Sequence, residues 1–354
     1  MKTINSYLML IASTILLFSC ENHNIQLHTI INEDGSCVRQ ISYSNKMPKE
    51  MRDSLWNGKE GDSYPIPDNL NIDTYKKIST EIGKEDTVTS TFMKSFDSVQ
   101  QMCKETPLQL NGKRLQSNAT LEKHFRWFYT EYTFTETFRC LGDSFKLPVT
   151  NYADSATVNY WFTGQPNLIE GLSGAEAFEK MSQIETSINK WLNDNYFQIC
   201  FDFIVSYYDS INNPPVNRER FIQLHDTLST CIMKNDMNTF DEVDKSFKQF
   251  FHSDAYMPFF DENHRFCKEL QEKIMSPWNI FMLLFSYTLQ MPGKVVDTGI
   301  GTNKNGIIYY PITGERLIPK DYIIQATSQV TNIWAYVVTI LIILLAIGSW
   351  LYRR

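Results

Sequence analysis

Twenty consecutive residues, Ile333 to Tyr352, carry no charge: Ile-Trp-Ala-Tyr-Val-Val-Thr-Ile-Leu-Ile-Ile-Leu-Leu-Ala-Ile-Gly-Ser-Trp-Leu-Tyr. As a helix this run is roughly 30 Å long, the thickness of a bilayer's hydrocarbon core. It has no polar stripe to turn toward water, which sets it apart from the surface helix of a soluble domain. Trp334 and Tyr336 stand near one end, Trp350 and Tyr352 at the other, and such rings favour the two membrane–water interfaces. Arg353-Arg354 follow at once. Basic residues stay on the cytoplasmic side, so residues 353–354 are expected inside and residues 20–332 outside.

The opposite end agrees. Met1-Lys2 precedes an apolar stretch from Tyr7 to Phe18 that is too short to span, and Ser19-Cys20 follow. This is the plan of a cleavable export signal. Leu17-Phe18-Ser19-Cys20 resembles the lipobox of bacterial lipoproteins. That resemblance implies a signal peptide over residues 1–19 and acylation of the Cys20 thiol, palmitate being a typical chain. A single lipid holds a protein weakly, whereas a spanning helix holds it effectively for good. The expectation is therefore an inner-membrane, single-pass protein with a periplasmic ectodomain.

Charge narrows the partners. The 354 residues hold 33 basic and 40 acidic side chains, a net charge of −7. Without Lys2 and the arginine pair, 30 basic residues face 40 acidic ones. Such a surface lacks the basic face that nucleic acid requires and is repelled by anionic headgroups. Hydrophobic residues make up 43% of the chain, enough for packed cores.

Six cysteines follow Cys20, namely Cys37, Cys103, Cys140, Cys200, Cys231 and Cys267. Export permits disulfides, and fifteen pairings are open, beside the alternative of buried free thiols. No Cys-x-x-Cys occurs, which removes zinc ribbons and thioredoxin-type sites. Asp-[Ser/Thr]-aliphatic tripeptides recur at Ser54, Thr87, Ser98, Ser155, Ser210 and Thr227. They resemble the O-glycan acceptors of exported Bacteroidota proteins. Thr227 falls in an expected helix and is the poorest candidate; a sugar at any of them must point to solvent.

The intervening chain reads as α+β, a mostly antiparallel sheet with an inserted helical subdomain. Residues 20–164 are β-rich, 165–277 helical and 278–332 β-rich again. A hairpin is expected over residues 25–44 around Asn32-Glu33-Asp34-Gly35. Further strands are expected at Asp86–Phe96, as one long aromatic strand at Glu122–Phe138 bulged near Thr130, and at Thr157–Phe162. Ile280–Gln290 and Tyr322–Val330 are expected to follow, with a Gly-rich hairpin loop between Lys294–Thr298 and Ile307–Tyr310. Four helices are marked by the stripes Phe178–Trp191, Phe221–Cys231, Phe240–Phe250 and Phe266–Ile274. Ser173-Gly-Ala-Glu176 and Thr239-Phe-Asp-Glu242 fit capping boxes.

Taken together, the lipobox, Glu33-Asp34-Gly35-Ser36, Phe125-Arg126-Trp127-Phe128, Pro292-Gly293-Lys294-Val295-Val296 and the final span resemble LppM-like bacterial envelope lipoproteins. The resemblance covers the β segments and the tail, not residues 165–275. It implies a fold and a location and carries no catalytic residue across.

Motifs for chemistry are sparse. His252, Asp254, His264 and Cys267 gather metal-ligand types, but without a regular ligand spacing. His252 also suits a helix C-terminus, and Asp261 a helix cap. Gly301–Gly306 lacks the Lys and Ser/Thr of a phosphate loop, and Gly171-Leu-Ser173-Gly174 lacks the spacing of a nucleophile elbow. Glu131 and Glu136 lie on the aromatic strand, where a raised pKa would suit a general acid and a strand-edge carboxylate facing water is the plainer use. No cofactor is called for. The leading expectation is an anchored ectodomain that binds a protein, glycan or lipid partner; the alternative is a metal-dependent periplasmic hydrolase.

Overall fold

The computed structural model describes residues 24–46, 66–67, 69–83, 87–233 and 240–353. The expected signal peptide, Cys20, Ser54 and Thr239 of the second capping box lie outside them. The described chain is α+β, with thirteen mostly antiparallel strands and eight α-helices. It divides into two compact units. One holds the described residues up to Arg139 together with 283–313 and 321–353; the other holds 140–282 and 314–320.

The β unit is built from two larger sheets. Its first hairpin pairs β1 (Asn24–Ile31) with β2 (Cys37–Lys46) across a turn where Gly35 has φ +97°, a conformation that favours glycine. Then come β3 (Lys76–Ile82), β4 (Thr87–Phe96), α1 (Val99–Lys104) capped by Ser98, and the short β5 (Gln109–Leu110) and β6 (Lys113–Arg114). β7 (Ser117–Phe125), β8 (Tyr129–Phe138), β9 (Leu284–Gln290), β10 (Lys294–Asp297), β11 (Thr302–Lys304), β12 (Ile307–Thr313) and β13 (Tyr322–Thr331) complete the strands. The seven-stranded sheet runs β11-β12-β9-β1-β2-β4-β3 and the four-stranded sheet β10-β13-β8-β7. β1 lies parallel to β9, Leu27 opposite Tyr287, which brings distant parts of the chain side by side. The sheets pack face to face, Phe138 of β8 lying 6.2 Å from Phe285 and 6.1 Å from Tyr287 of β9, ring to ring.

Period two explains these faces. Along β2, Cys37, Arg39, Ile41 and Tyr43 turn inward; along β8, Tyr132, Phe134, Glu136 and Phe138 do. A polar side chain of matching parity is therefore carried into the core with its apolar neighbours.

Several expectations are revised here. The single strand over Glu122–Phe138 is a hairpin: β7 ends at Phe125, the chain reverses at Arg126–Phe128, and β8 begins at Tyr129. Thr130 pairs in register with Phe125, so a turn, not a bulge, accounts for aromatics on both faces. β10 pairs with β13 and β11 with β12, so the hairpin is the tight turn at Asn305-Gly306. Pro292-Gly293 carries the chain from one sheet to the other; Gly293 has φ +71°, and a Cβ there would collide with the Gln329 carbonyl.

The helical unit holds α2 (Ser155–Thr163), α3 (Gly174–Ser206), α4 (Arg218–Gln223), α5 (His225–Met233), α6 (Phe240–Phe251) and α7 (Arg265–Trp278). The strand expected at Thr157–Phe162 is α2. Asp154 caps it by accepting from Thr157 N at 2.9 Å, and Val158 and Phe162, four apart, share its buried face. On α3, Ser173 and Glu176 close the expected capping box. Phe178, placed in the apolar stripe, is instead 68% exposed, and burial begins at Ile184. The Phe221–Cys231 stripe is divided between α4 and α5 at Leu224. Phe221 is at the centre of the core, 5.0 Å from Phe201, 5.1 Å from Tyr208 and 5.4 Å from Tyr256, ring to ring. Residues 279–282 form a turn, so the strand expected from Ile280 begins at Leu284.

The last element, α8 (Ile333–Tyr352), is long and apolar enough to cross a membrane, and only 6% of its apolar window is buried.

Candidate functional site

The most concentrated chemistry lies between the two sheets of the β unit. Arg39 on β2 and Glu136 on β8 are both fully buried, Nη2 standing 2.9 Å from Oε2. Tyr287 donates its hydroxyl to the same carboxylate oxygen at 2.5 Å and accepts from Thr29 and Arg39, each at 3.0 Å. Ser117 donates to Oε1 at 2.9 Å, and the Cys103 thiol reaches that oxygen at 3.5 Å. Burial works against the Arg39 charge, but Glu136 beside it more than offsets this, and the guanidinium pKa is raised. Burial and then the Glu136 charge hold the Tyr287 phenol well above its usual range. The same two causes push the Cys103 thiol up to about 12. Glu136 thus stands inside, not at a strand edge. The network is a neutralised clamp between the sheets, its charged pair fully buried and Ser117 at its half-buried rim. It is not placed to meet a substrate.

Glu131, on the opposite face of β8, accepts from Gln329 Nε2 at 3.1 Å. Sequence parity, Arg39 with Ile41 and Glu136 with Phe138, carries the signal for the pair. Nothing local marks Tyr287 or Thr29 as their partners, because β9 and β1 meet only through the fold.

The metal-ligand candidates all fall in the helical unit. His252 follows α6 with φ +51°, and Asp254 pairs with Lys248 at 3.2 Å. His264, not Asp261, is the N-cap of α7; its Nδ1 accepts from Phe266 N at 3.2 Å, which leaves the hydrogen of the neutral ring on Nε2. Cys267 is fully buried, and its pKa is raised chiefly by that burial. Asp254 and His264 share a depression of about 250 Å³ with Ser210, Met257, Phe259 and Phe266. Among the described residues no group of three or more His, Cys, Asp or Glu is placed to hold a metal ion. Among the described residues none of Cys37, Cys103, Cys140, Cys200, Cys231 and Cys267 is joined in a disulfide.

Of the described glycan candidates, Ser155 at the start of α2 and Ser210 are exposed, and Thr87 and Ser98 are half-buried. Ser98 is further engaged as a cap, its Oγ accepting from Gln101 N at 3.3 Å.

A second polar cluster joins β unit and apolar helix through Asn332. Its Nδ2 donates to the carbonyls of Arg126 at 2.8 Å and Trp127 at 3.3 Å, and its backbone N–H donates to that of Phe128 at 2.9 Å. Its Oδ1 accepts from Thr130 Oγ1 at 3.0 Å. Around it Phe125 stacks on Trp334 at 6.1 Å, Trp127 meets Trp334 edge-on at 5.4 Å and Phe128 meets Tyr336 at 4.8 Å. The Trp127 indole N–H donates to Thr339 Oγ1 at 2.8 Å, and that hydroxyl donates to Ala335 O at 2.7 Å. The sequence shows both aromatic groups but not their meeting, since Phe125-Arg126-Trp127-Phe128 reads as strand.

No known protein family, curated protein or solved structure matches the chain.

Proposed function

We propose that the chain is an envelope lipoprotein of the LppM-like kind, anchored through Cys20 and through α8 across the inner membrane. The ectodomain stands in the periplasm, Arg353 lies on the cytoplasmic side, and the ectodomain's task is to bind an envelope partner and hold it near the membrane. The Asn332 joint carries this reading. It ties the one helix of spanning length among the described residues to a β hairpin by four hydrogen bonds. An anchor that only tethered would need no such bracing; a seated platform does. The Arg39–Glu136 clamp serves the fold, its charges spent on each other inside the β unit.

Fractionation tests the anchoring. Cys20→Ser is expected to abolish lipid labelling while the chain stays in alkali-washed membranes, and deleting residues 333–352 in that variant is expected to release it. A fluorescent reporter that matures only in the cytoplasm, fused after residue 354, is expected to light up; a dark reporter with full-length product overturns the topology. In-cell crosslinking of the lipidated chain then identifies the partner.

The rival reading, a metal-dependent hydrolase, has one observation in its favour: Asp254 and His264 line a common depression. Stoichiometric zinc in the purified chain, lost in His264→Ala, would favour it.

A further inference from the structure

We infer that the β7–β8 tip, Phe125 to Phe128, is itself immersed in the outer-facing leaflet as an aromatic wedge beside α8. This rests on the reading of α8 as a membrane span. Three observations carry it.

Depth is the first. Trp127 bonds to Thr339, six residues beyond Ile333, and at 1.5 Å per residue that lies about 9 Å along the helix. If the uncharged run fills the hydrocarbon core, the indole sits below the level where the core begins, not above the headgroups.

Surface chemistry is the second. Phe125 is 57% exposed, Trp127 43% and Phe128 40%, although all three already touch the helix. Their outward faces adjoin those of Trp334 and Tyr336, which are exposed too. Trp334 and Tyr336, at the start of the apolar run, suit the boundary between headgroups and acyl chains, and the hairpin tip reaches inward from there. The exposed Arg126 at the turn can extend toward phosphate while its stem stays among the chains.

Backbone satisfaction is the third. A turn in water leaves its carbonyls to solvent, but a turn in lipid must find partners within the protein. The carbonyls of Arg126, Trp127 and Phe128 all accept from Asn332, and Tyr129 O accepts from Arg126 N at 2.8 Å. The indole N–H, the remaining strong donor on the ring, is taken by Thr339.

The test places the full chain in phosphatidylcholine vesicles whose acyl chains are brominated close to the glycerol, so that nearby tryptophans lose emission. In W334F/W350F the helix carries no tryptophan, and bromolipid is expected to keep quenching a distinct fraction of emission. In W127F/W334F/W350F at least half of that quenching is expected to vanish. Every replacement retains an aromatic ring, and equal near-ultraviolet circular dichroism of Phe and Tyr bands verifies the fold. Equal quenching of the two variants overturns the wedge and leaves the span intact, provided wild type floats with the vesicles and is quenched. A wild-type chain that neither floats nor is quenched overturns the span, and the wedge with it.

Discussion

Arg39 and Glu136 stand 2.9 Å apart between the two sheets of the β unit, and neither side chain touches water. They come from strands that share no hydrogen bond, so their attraction holds sheet to sheet rather than strand to strand. Among the described residues Arg39 Nη1 finds no hydrogen-bond partner, a cost that the bonds of Nη2 and of Nε, which donates to Thr29 at 3.2 Å, offset. Removing one member of a buried pair strands the other's charge, and Glu136→Leu is expected to destabilise the β unit by about 3–5 kcal/mol. Arg39→Met combined with Glu136→Leu is expected to cost much less than the two single changes together. Urea unfolding of the detergent-solubilised chain measures the cycle; additive losses would mean that the pair is not coupled.

His28 gives the β unit a pH dependence. Its Nδ1 lies 2.8 Å from Thr288 Oγ1, and burial lowers its pKa below the ordinary imidazole value of about 6.5. The folded state therefore favours the neutral ring. Above 6.5 both states are neutral and nothing is gained or lost. As pH falls below that value the unfolded chain takes up a proton that the folded chain does not, so stability drops until the folded-state pKa is passed. Thermal midpoints from pH 7.5 to 5 are expected to fall more steeply in wild type than in His28→Gln.

Asn332→Ala removes three side-chain hydrogen bonds at the joint and keeps the one from the backbone. For a half-buried side chain the loss is about 1–3 kcal/mol, felt locally. Amide exchange is expected to speed up over residues 126–130 and 333–336 and to remain unchanged in the helical unit. Unchanged exchange at the hairpin tip would show that the aromatic contacts alone hold the joint.

The candidate glycan acceptors separate by exposure. Ser155 and Ser210 are open to an enzyme, whereas Ser98 spends its hydroxyl capping α1. Intact mass of chain from the native cell is expected to fall by one glycan in Ser155→Ala and by one in Ser210→Ala, with no change in Ser98→Ala.

How much of this the sequence carries depends on the range of the interaction. Alternation along β2 and β8 is enough to put Arg39 beside Ile41 and Glu136 beside Phe138 on inward faces. Capping is local as well, and Ser173 with Glu176 reads correctly. Thr157–Phe162 misleads because its β-branched and aromatic residues suit a strand, while the Asp154 cap and the left-handed Gly164 at its end decide for helix. The Arg126–Phe128 reversal misleads because it has no Gly, Pro, Asn or Asp; Asn332, two hundred residues on, supplies the hydrogen bonds a turn residue normally would. The joint, like the clamp, is non-local chemistry, and no window on the sequence contains both halves.

The parallel pairing of β1 with β9 also sets an order of events. Leu27 cannot settle beside Tyr287 until the chain between them has been delivered. β8 has β7 beside it at once, but its other edge awaits β13, which immediately precedes the apolar helix. Residues 140–282, whose partners are mostly near in sequence, can consolidate before the last strands are made. The early strands can pair among themselves, β1 with β2, β2 with β4, β4 with β3 and β7 with β8, but the outer edges of β1 and β8 stay open until β9 and β13 are available. Closing of the β unit is thus completed only when the segment just before the apolar helix has joined it.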